Sequence, residues 1–542
     1  MRTFALAKHL DGYRRIWMFP RNIRSISPWK IAQMLSLFKR LTDYQEWSGN
    51  QDLQNNFCKA LEAAGLKEEG TQYDPRSGGP RTYLAQFKCL GLVFERDDGR
   101  IFLTKAGEDI ATGKAPLPIM QSLLLRHQYP SAYSNLQNLK INPTLRVKPF
   151  LFVLELIQDE RIQHLTNEEM MVPVVYGHNH GCLELCIEKV LRLRRGDDFL
   201  AVIDNREQDL YLPRSSRGDI AKTIQNIRDI GNTCKNYLQS CCLVFSEQVD
   251  GRQRVSISPD MTGIITAAIT ESDDFLSYKD NEESFQRAYG AWDRVKDTRR
   301  IGAADDSSTI KPEDSIILSQ FYKYCGQNIV ATIPDDFIRQ LREGFGFSKQ
   351  KVYDVISPHM DKTLDFFEST FLELSKGGTA AATSFEKVVC TLLEQKLHFK
   401  AEHTGQKRRA GIGGYADIFV VALDDAHCGI IDTKASASYS LPASDYHAMV
   451  NNYMPNYVEL TDGQPLRLEF ASYVAGGFTT NISDRLASIS REGTVPCSAV
   501  SARELLHFAK SNPQREKQAA IRSVFRTGRL ADYGAFADAI GK

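Results

Sequence analysis

Two short apolar runs, separated by a turn and each flanked by an acid, constrain the C-terminal third of this chain more than any other feature. Ile418–Leu423 contains no polar residue and follows directly on Asp417; the turn Asp424-Asp425-Ala426 then leads into Cys428–Ile431, which ends in Asp432-Thr433-Lys434. Continuous apolar runs of this length, bounded by turn residues, read as buried strands. A helix is predicted just before them over Ser384–Leu397, opening on a Ser/Thr cap and burying Phe385, Val388, Val389, Leu392 and Leu393. Neighbouring strand ends would bring the carboxylates of Asp417 and Asp432 and the ammonium of Lys434 close together.

Two hard oxygen ligands and an amine are what metal-assisted phosphodiester hydrolysis requires. Mg²⁺ prefers carboxylates, water and phosphate oxygens, with Mn²⁺ a possible substitute. Such an ion polarises the scissile phosphate and stabilises charge on the attacking and leaving oxygens. Lys434 lies two residues past Asp432 and so points to the same side of its strand. Glu394-Gln395-Lys396 also fits an acid-x-Lys pattern, but falls within the predicted helix. Gly411-Ile412-Gly413-Gly414-Tyr415-Ala416 matches a dinucleotide-binding fingerprint. That fingerprint must follow a strand and open a helix; here it precedes a strand, so it is rejected.

Upstream, residues 30–66 show helical spacing through Ile31, Met34, Leu35, Phe38, Leu41, Leu53, Phe57 and Leu61. After the turn-rich stretch Tyr73–Pro80, a helix is expected over Arg81–Leu90. Leu92–Glu95 and Arg100–Thr104 then flank Asp98-Gly99, which signals a type I′ hairpin. Helices followed by a hairpin are the order of a winged helix, whose third helix enters the major groove. The order recurs with a helix over Gly218–Leu238 and two strands, Cys242–Phe245 and Val255–Ile257, around Asp250-Gly251. Ala303–Ser315 is polar and without apolar period, and Lys376–Thr383 reads as a flexible junction. The expected fold class is therefore multidomain: mainly α winged-helix recognition modules, followed by an α/β domain with a central mixed sheet. The expected boundaries are 1–150 and 151–302 for the two recognition domains, 303–375 for a helical linker domain and 376–542 for the catalytic domain.

The formal net charge is zero, yet residues 1–40 hold nine Lys and Arg against one acid, while 271–320 is net acidic. A basic end on a neutral chain points to a localised anionic partner, and Tyr13, Trp17, Phe19 and Trp29 interleaved there favour phosphate contact. The candidate DNA contacts are Arg21 and Arg24 at that end; Arg76, Arg81, Thr82 and Lys88 around the first recognition helix; Arg217, Lys222, Asn226, Arg228 and Asn236 on the second; and Lys407, Arg408 and Arg409 ahead of Asp417. Arg suits guanine and Asn adenine, although many such residues touch only phosphate. Eleven scattered cysteines, an odd number that includes the vicinal pair Cys241–Cys242, argue for free thiols in a reducing compartment. With no secretory h-region and no apolar stretch long enough to span a bilayer, a cytoplasmic protein is expected.

The run Gly429–Ala435, with Tyr439, Leu441-Pro442, Met449 and Tyr453, resembles the cleavage domain of FokI-type endonucleases of the PD-(D/E)xK superfamily. The similarity extends through Phe470–Phe478 and Ala502–Leu506. Gly91–Phe94, Leu103–Gly107, Gln128–Ser131 and Ile141–Pro143 are similar to AlwI-type enzymes. The resemblance implies a type IIS restriction endonuclease, a type II site-specific deoxyribonuclease. Its metal ligands would be Asp417, Asp432 and the Thr433 backbone carbonyl, and its catalytic lysine Lys434. Ala416 stands where that family has proline. It further implies recognition of a short asymmetric duplex site, cleavage outside that site, and self-association through the nuclease domain on DNA. No Asp/Asn/Ser-Pro-Pro-aromatic methyltransferase signature is present, so host protection by a separate methyltransferase is implied. Two other readings share these residues: a non-catalytic winged-helix regulator, and a strand-specific nicking enzyme.

Glu386 is a further metal-ligand candidate, although an acid in a helix's first turn is favoured by the helix dipole in any case. His178, His180, Cys182 and Cys186 are spaced closely enough for zinc, but no second knuckle lies nearby. A helix start with buried cysteines is the preferred reading.

Overall fold

The computed structural model describes residues 16–20, 26–42, 45–67, 78–132, 141–142, 144–203, 220–249, 252–271, 274–277, 281–301, 312–407 and 414–541. The chain forms two compact units, Met1–Lys323 and Tyr324–Lys542.

The first unit is mainly helical. Helices α1 (Pro28–Thr42), α2 (Gln51–Ala63) and α3 (Gly78–Cys89) are followed by β1 (Val93–Glu95) and β2 (Ile101–Leu103), an antiparallel pair. Ile31, Met34, Leu35, Phe38, Phe57 and Leu61 are buried, as the 3.6-residue spacing predicts. The expected helix, helix, helix, hairpin order is present. The turn itself differs from the type I′ expected. Gly99 N–H donates to Arg96 C=O at 2.9 Å and Arg96 N–H to Arg100 C=O at 3.0 Å. Gly99 has φ +78°, whereas Asp98 stays at negative φ. Type I′ requires two left-handed residues; one, at the last loop position, makes a three-residue loop with a glycine bulge.

The second helix–hairpin copy is α4 (Ile220–Ser240), β4 (Val244–Val249) and β5 (Arg252–Ile257), and α5 (Glu282–Tyr289) follows it. Its strands are longer than expected, and β3 (Leu165–Thr166) adds to β5 to complete a three-stranded antiparallel sheet. Asp250-Gly251 lies outside the described residues. Trp17, Phe19 and Trp29 are buried, and Trp17 Nε1 donates to Gly177 C=O at 2.8 Å. These three aromatics therefore build core and do not face a phosphate backbone, which corrects the expectation for them; Tyr13 lies outside the described residues. Their apolar area outweighs the charge pattern around them.

The second unit is an α/β layer structure. Its six-stranded mixed sheet runs β11 (Leu530–Ala531), β10 (Cys497–Ser501), β9 (Arg467–Ala475), β8 (His427–Lys434), β7 (Ile418–Val421), β6 (Lys400–His403). Strands β6, β7 and β8 pair antiparallel, whereas β8 through β11 are parallel. One face buries Phe419, Cys428, Ile430, Leu468 and Tyr473 against Leu441, Met449 and Leu486. On β8 and β9 the alternate side chains pack aromatic groups, with Phe470 stacked on Phe525 at 5.1 Å and edge-on to Phe399. Covered faces explain why the two central strands are written as apolar runs.

Residues 376–383 are not the flexible junction expected. Lys376 is buried, Gly378 N–H donates to Ala435 C=O at 2.8 Å, and a 3₁₀ turn over Gly378–Ala380 runs straight into the next helix. That helix, α6 (Ala382–Gln395), begins two residues before Ser384 and has no side-chain cap. The incoming turn occupies the place where a capping hydroxyl would act. Cys390 is buried on it in place of Val388, which is only half-buried.

Candidate active site

The antiparallel register pairs Ile418 with Ile431, so one residue further along Asp417 lies opposite Asp432. Opposed residues of an antiparallel pair point to the same face. The two carboxyl groups are near enough for the charge of Asp417 to act on Asp432. Asp417 Oδ2 also accepts from the Thr433 amide at 2.7 Å and from the Thr433 hydroxyl at 3.1 Å. The amide of Thr433, and not its carbonyl, is thus the backbone group that touches Asp417. The Asp417 carbonyl is held in turn by the Thr404 and Gly405 amides at 2.7 and 3.0 Å.

Asp432 is buried, and Lys434 Nζ stands 2.9 Å from its Oδ2. Burial, then the neighbouring charge of Asp417, pushes the Asp432 carboxyl well above the ordinary carboxylate range. Burial likewise raises Asp417 against the opposing pull of the Thr433 amide. Burial disfavours the charged form of Lys434, but Asp432 beside it more than offsets this and holds its pKa above the ordinary range.

One buried and one half-buried carboxyl beside one ammonium leave an uncompensated acid whenever both carboxyls ionise, which is the electrostatic condition that a divalent cation relieves. Both are hard oxygen donors, so the residues fit a Mg²⁺-type ion. Glu386 Oε2 is held by His403 Nε2 at 2.8 Å. A Cβ added at Gly405 would meet Asp417 Oδ1 at 2.9 Å and Glu386 Oε2 at 3.2 Å. Gly405 thus leaves open the space beside both oxygens.

A third acid escaped the sequence reading. Asp445, on α7 (Ala443–Ala448), puts Oδ2 3.3 Å from Lys434 Nζ and accepts the Tyr439 hydroxyl at 2.5 Å. Its backbone carbonyl accepts from Tyr473 Oη at 3.0 Å. No motif marks it; Tyr439 and the Leu441-Pro442 turn beside it were the only signals available.

The expected DNA contacts fare unevenly. Arg21, Arg24, Arg76, Arg217, Arg408 and Arg409 lie outside the described residues. Arg81, Lys222 and Arg228 are exposed, and Asn226 is half-buried. Lys407 pairs with Glu402 at 2.7 Å in an exposed position. Lys88 is buried, with Nζ 2.6 Å from Glu95 and 3.1 Å from Glu282, so its charge is committed within the unit and it does not reach DNA. That corrects the expectation.

His178 Nε2 contacts Val175 C=O at 2.9 Å, and His180 Nδ1 contacts Glu155 at 2.6 Å. Among the described residues no set of three or more His, Cys, Asp or Glu side chains is arranged for a metal. The zinc alternative has no support there. All eleven cysteines are free and buried. Among the described residues, no helix is long and apolar enough to cross a membrane.

Residues 346–530 match the family model of the FokI cleavage domain. No curated protein sequence matches the chain. Among solved structures, the restriction endonuclease FokI aligns over 95% of this chain and 100% of its own at 13% identity and a TM-score of 0.27. FokI bound to DNA aligns over 95% and 100% at 12% identity and a TM-score of 0.26. The BpuJ1 endonuclease binding domain, solved with pyrene- and phenanthrene-modified DNA, aligns over 53% of this chain and 98% of its own, at 16% identity and a TM-score of 0.35. TM-scores this low do not establish a shared overall fold, so the assignment rests on the cleavage-domain match and on the acids and lysine gathered within it. Residues 346–530, which carry the carboxylate pair and Lys434, are thus similar to the FokI cleavage domain, and the chain is a site-specific deoxyribonuclease.

Proposed function

We propose that the first unit binds duplex DNA at a short asymmetric sequence and that the second hydrolyses phosphodiester bonds outside that sequence, with Mg²⁺ as the metal and Mn²⁺ able to replace it. The observation that carries this reading is Asp417 facing Asp432 with Lys434 2.9 Å away, all inside the FokI-like segment. Asp417 and Asp432 would hold the ion, and Glu386 or the Thr433 carbonyl could add to the set. When bound, the ion supplies Lewis-acid stabilisation of the phosphorane charge and a more acidic water. Lys434 orients the attacking water and offsets charge on the non-bridging oxygens. The water oxygen forms a bond to phosphorus, one P–O ester bond breaks, and the proton lost by water balances the one taken up by the leaving oxygen.

DNA reading is assigned to the two helix–hairpin modules, used as winged helices, with Arg81, Lys222, Asn226 and Arg228 presented on them. One carboxylate pair cuts one strand, so a double-strand break needs a second copy of the domain; we propose that subunits associate on DNA. A separate methyltransferase would protect the host. The test is supercoiled plasmid with Mg²⁺, followed by sequencing of the product ends. Linear product with ends at a fixed offset from one asymmetric sequence is expected. Nicked circles alone would limit the enzyme to one strand, and intact plasmid with retained DNA binding would leave a regulator.

A further inference from the structure

We infer that Asp445 is a positioning residue for cleavage: it would hold the Lys434 ammonium in place when Asp432 serves a divalent ion. This rests on the functional reading above and adds a residue to it. Lys434 Nζ has two carboxylate anchors, Asp432 Oδ2 at 2.9 Å and Asp445 Oδ2 at 3.3 Å. The first belongs to the carboxylate pair that would hold the ion, and an oxygen facing a divalent cation is a poor partner for an ammonium. The second stands apart from that pair and is free to keep the lysine.

Asp445 is also fixed to a degree that an ordinary surface acid is not. Its Oδ2 accepts from Tyr439, its Oδ1 from the Ser444 hydroxyl at 3.2 Å, and its carbonyl from Tyr473. Tyr473 sits on β9 directly across from Asp432. The brace therefore ties α7 to β9, the strand paired with the one that carries Asp432 and Lys434, and leaves Asp445 little freedom to follow Lys434 if the lysine moves. A carboxylate this close to a phosphate path works against DNA binding. Its replacement should therefore leave affinity unchanged or improved, while the chemical step suffers.

The test uses the full chain and the variants Asp445→Asn, Tyr439→Phe and Lys434→Ala. Asp445→Asn keeps the shape of the side chain and an oxygen for Tyr439, but removes the charge. It should lower kcat about 10–100-fold, the range expected when a reacting group is displaced by about an ångström. KM for DNA should not rise and Tm should stay that of the wild type. Tyr439→Phe, which loosens the anchor without removing it, should fall between wild type and Asp445→Asn. A second readout needs no turnover: labelling of Lys434 by a lysine-directed acylating reagent, quantified by mass spectrometry with and without Mg²⁺ and in the absence of DNA. In the wild type the rate should change little on adding Mg²⁺; in Asp445→Asn it should rise only when Mg²⁺ is present. Full kcat in Asp445→Asn, or Mg²⁺-independent labelling in that variant, would overturn the inference. If Lys434→Ala also cleaves at the wild-type rate, the functional reading fails with it; if Lys434→Ala is inactive while Asp445→Asn is fully active, only the role of Asp445 fails.

Discussion

Asp417 faces Asp432 across β7 and β8, one rung beyond the Ile418–Ile431 pair, and the Thr433 amide binds the outer oxygen of Asp417. Asp417 immediately precedes β7 and Asp432 lies in β8, so the register of the two strands sets the backbone position of both acids. Replacing Asp432 or Asp417 by Ala should abolish cleavage and leave DNA affinity intact. Lys434→Ala should cost about 10²–10³-fold in kcat, the usual effect of removing one preorganised charge stabiliser. Plasmid cleavage alongside gel-shift binding measures both. An Asp432→Ala protein that still cuts would remove the site from consideration.

Gly429 is paired with Phe470 in the register of β8 with β9. A Cβ there would lie 2.3 Å from the Phe470 ring, which is itself stacked on Phe525. Gly429→Ala is therefore expected to destabilise the catalytic unit by about 1–3 kcal/mol through overpacking. Adding Phe470→Leu should recover part of the loss. Calorimetry of single and double variants reads this out, and additive losses would contradict it.

Lys88 and Arg81 occupy the same helix but differ in burial. Lys88 is buried between Glu95 and Glu282, whereas Arg81 is exposed. Lys88→Ala should lower stability by about 1–3 kcal/mol, less than for a fully enclosed pair because both glutamates keep some contact with water. It should leave the salt dependence of DNA binding unchanged. Arg81→Ala should do the reverse, weakening binding and reducing the salt slope by about one. Binding isotherms across NaCl concentrations decide between them.

His127 provides a pH test of the first unit. Its ring packs against Phe19, Phe150 and Tyr289, and burial pushes its pKa down to about 4. The Tyr289 hydroxyl donates to Leu123 C=O at 3.0 Å, so the 3.1 Å contact with His127 Nδ1 has the imidazole as donor. Between pH of about 6.5 and about 4 the unfolded chain takes up a proton that the folded chain refuses. Stability should therefore fall as pH falls through that window, by up to about 3 kcal/mol from this group. His127→Gln should flatten the Tm profile between pH 7 and pH 4.5, on the order of the same window. An unchanged slope would show that another group sets it.

The carboxylate pair and its lysine were legible because strand ends concentrate chemistry: an apolar run states where the strand is, and the polar residue that ends it states where the site is. The helix–hairpin order was legible for a similar reason, since helical spacing and a turn glycine are local. Asp445 was not, because nothing in its neighbours says that α7 folds back toward Lys434 or that Tyr473 will meet it from another strand. The same holds for Lys88, which reads as a groove-facing cation until the helix Glu282–Tyr289 supplies its partner from far along the chain.

The order of residues by itself determined two things here: the buried strands, through unbroken apolar runs, and the acids and lysine at their ends, through side-chain alternation. Tertiary structure alone decided which charges are committed inside and which face outward. Partners such as Glu282 for Lys88, or Asp445 for Lys434, arrive from separate elements, and an ion pair depends on distance in space, which local periodicity does not encode.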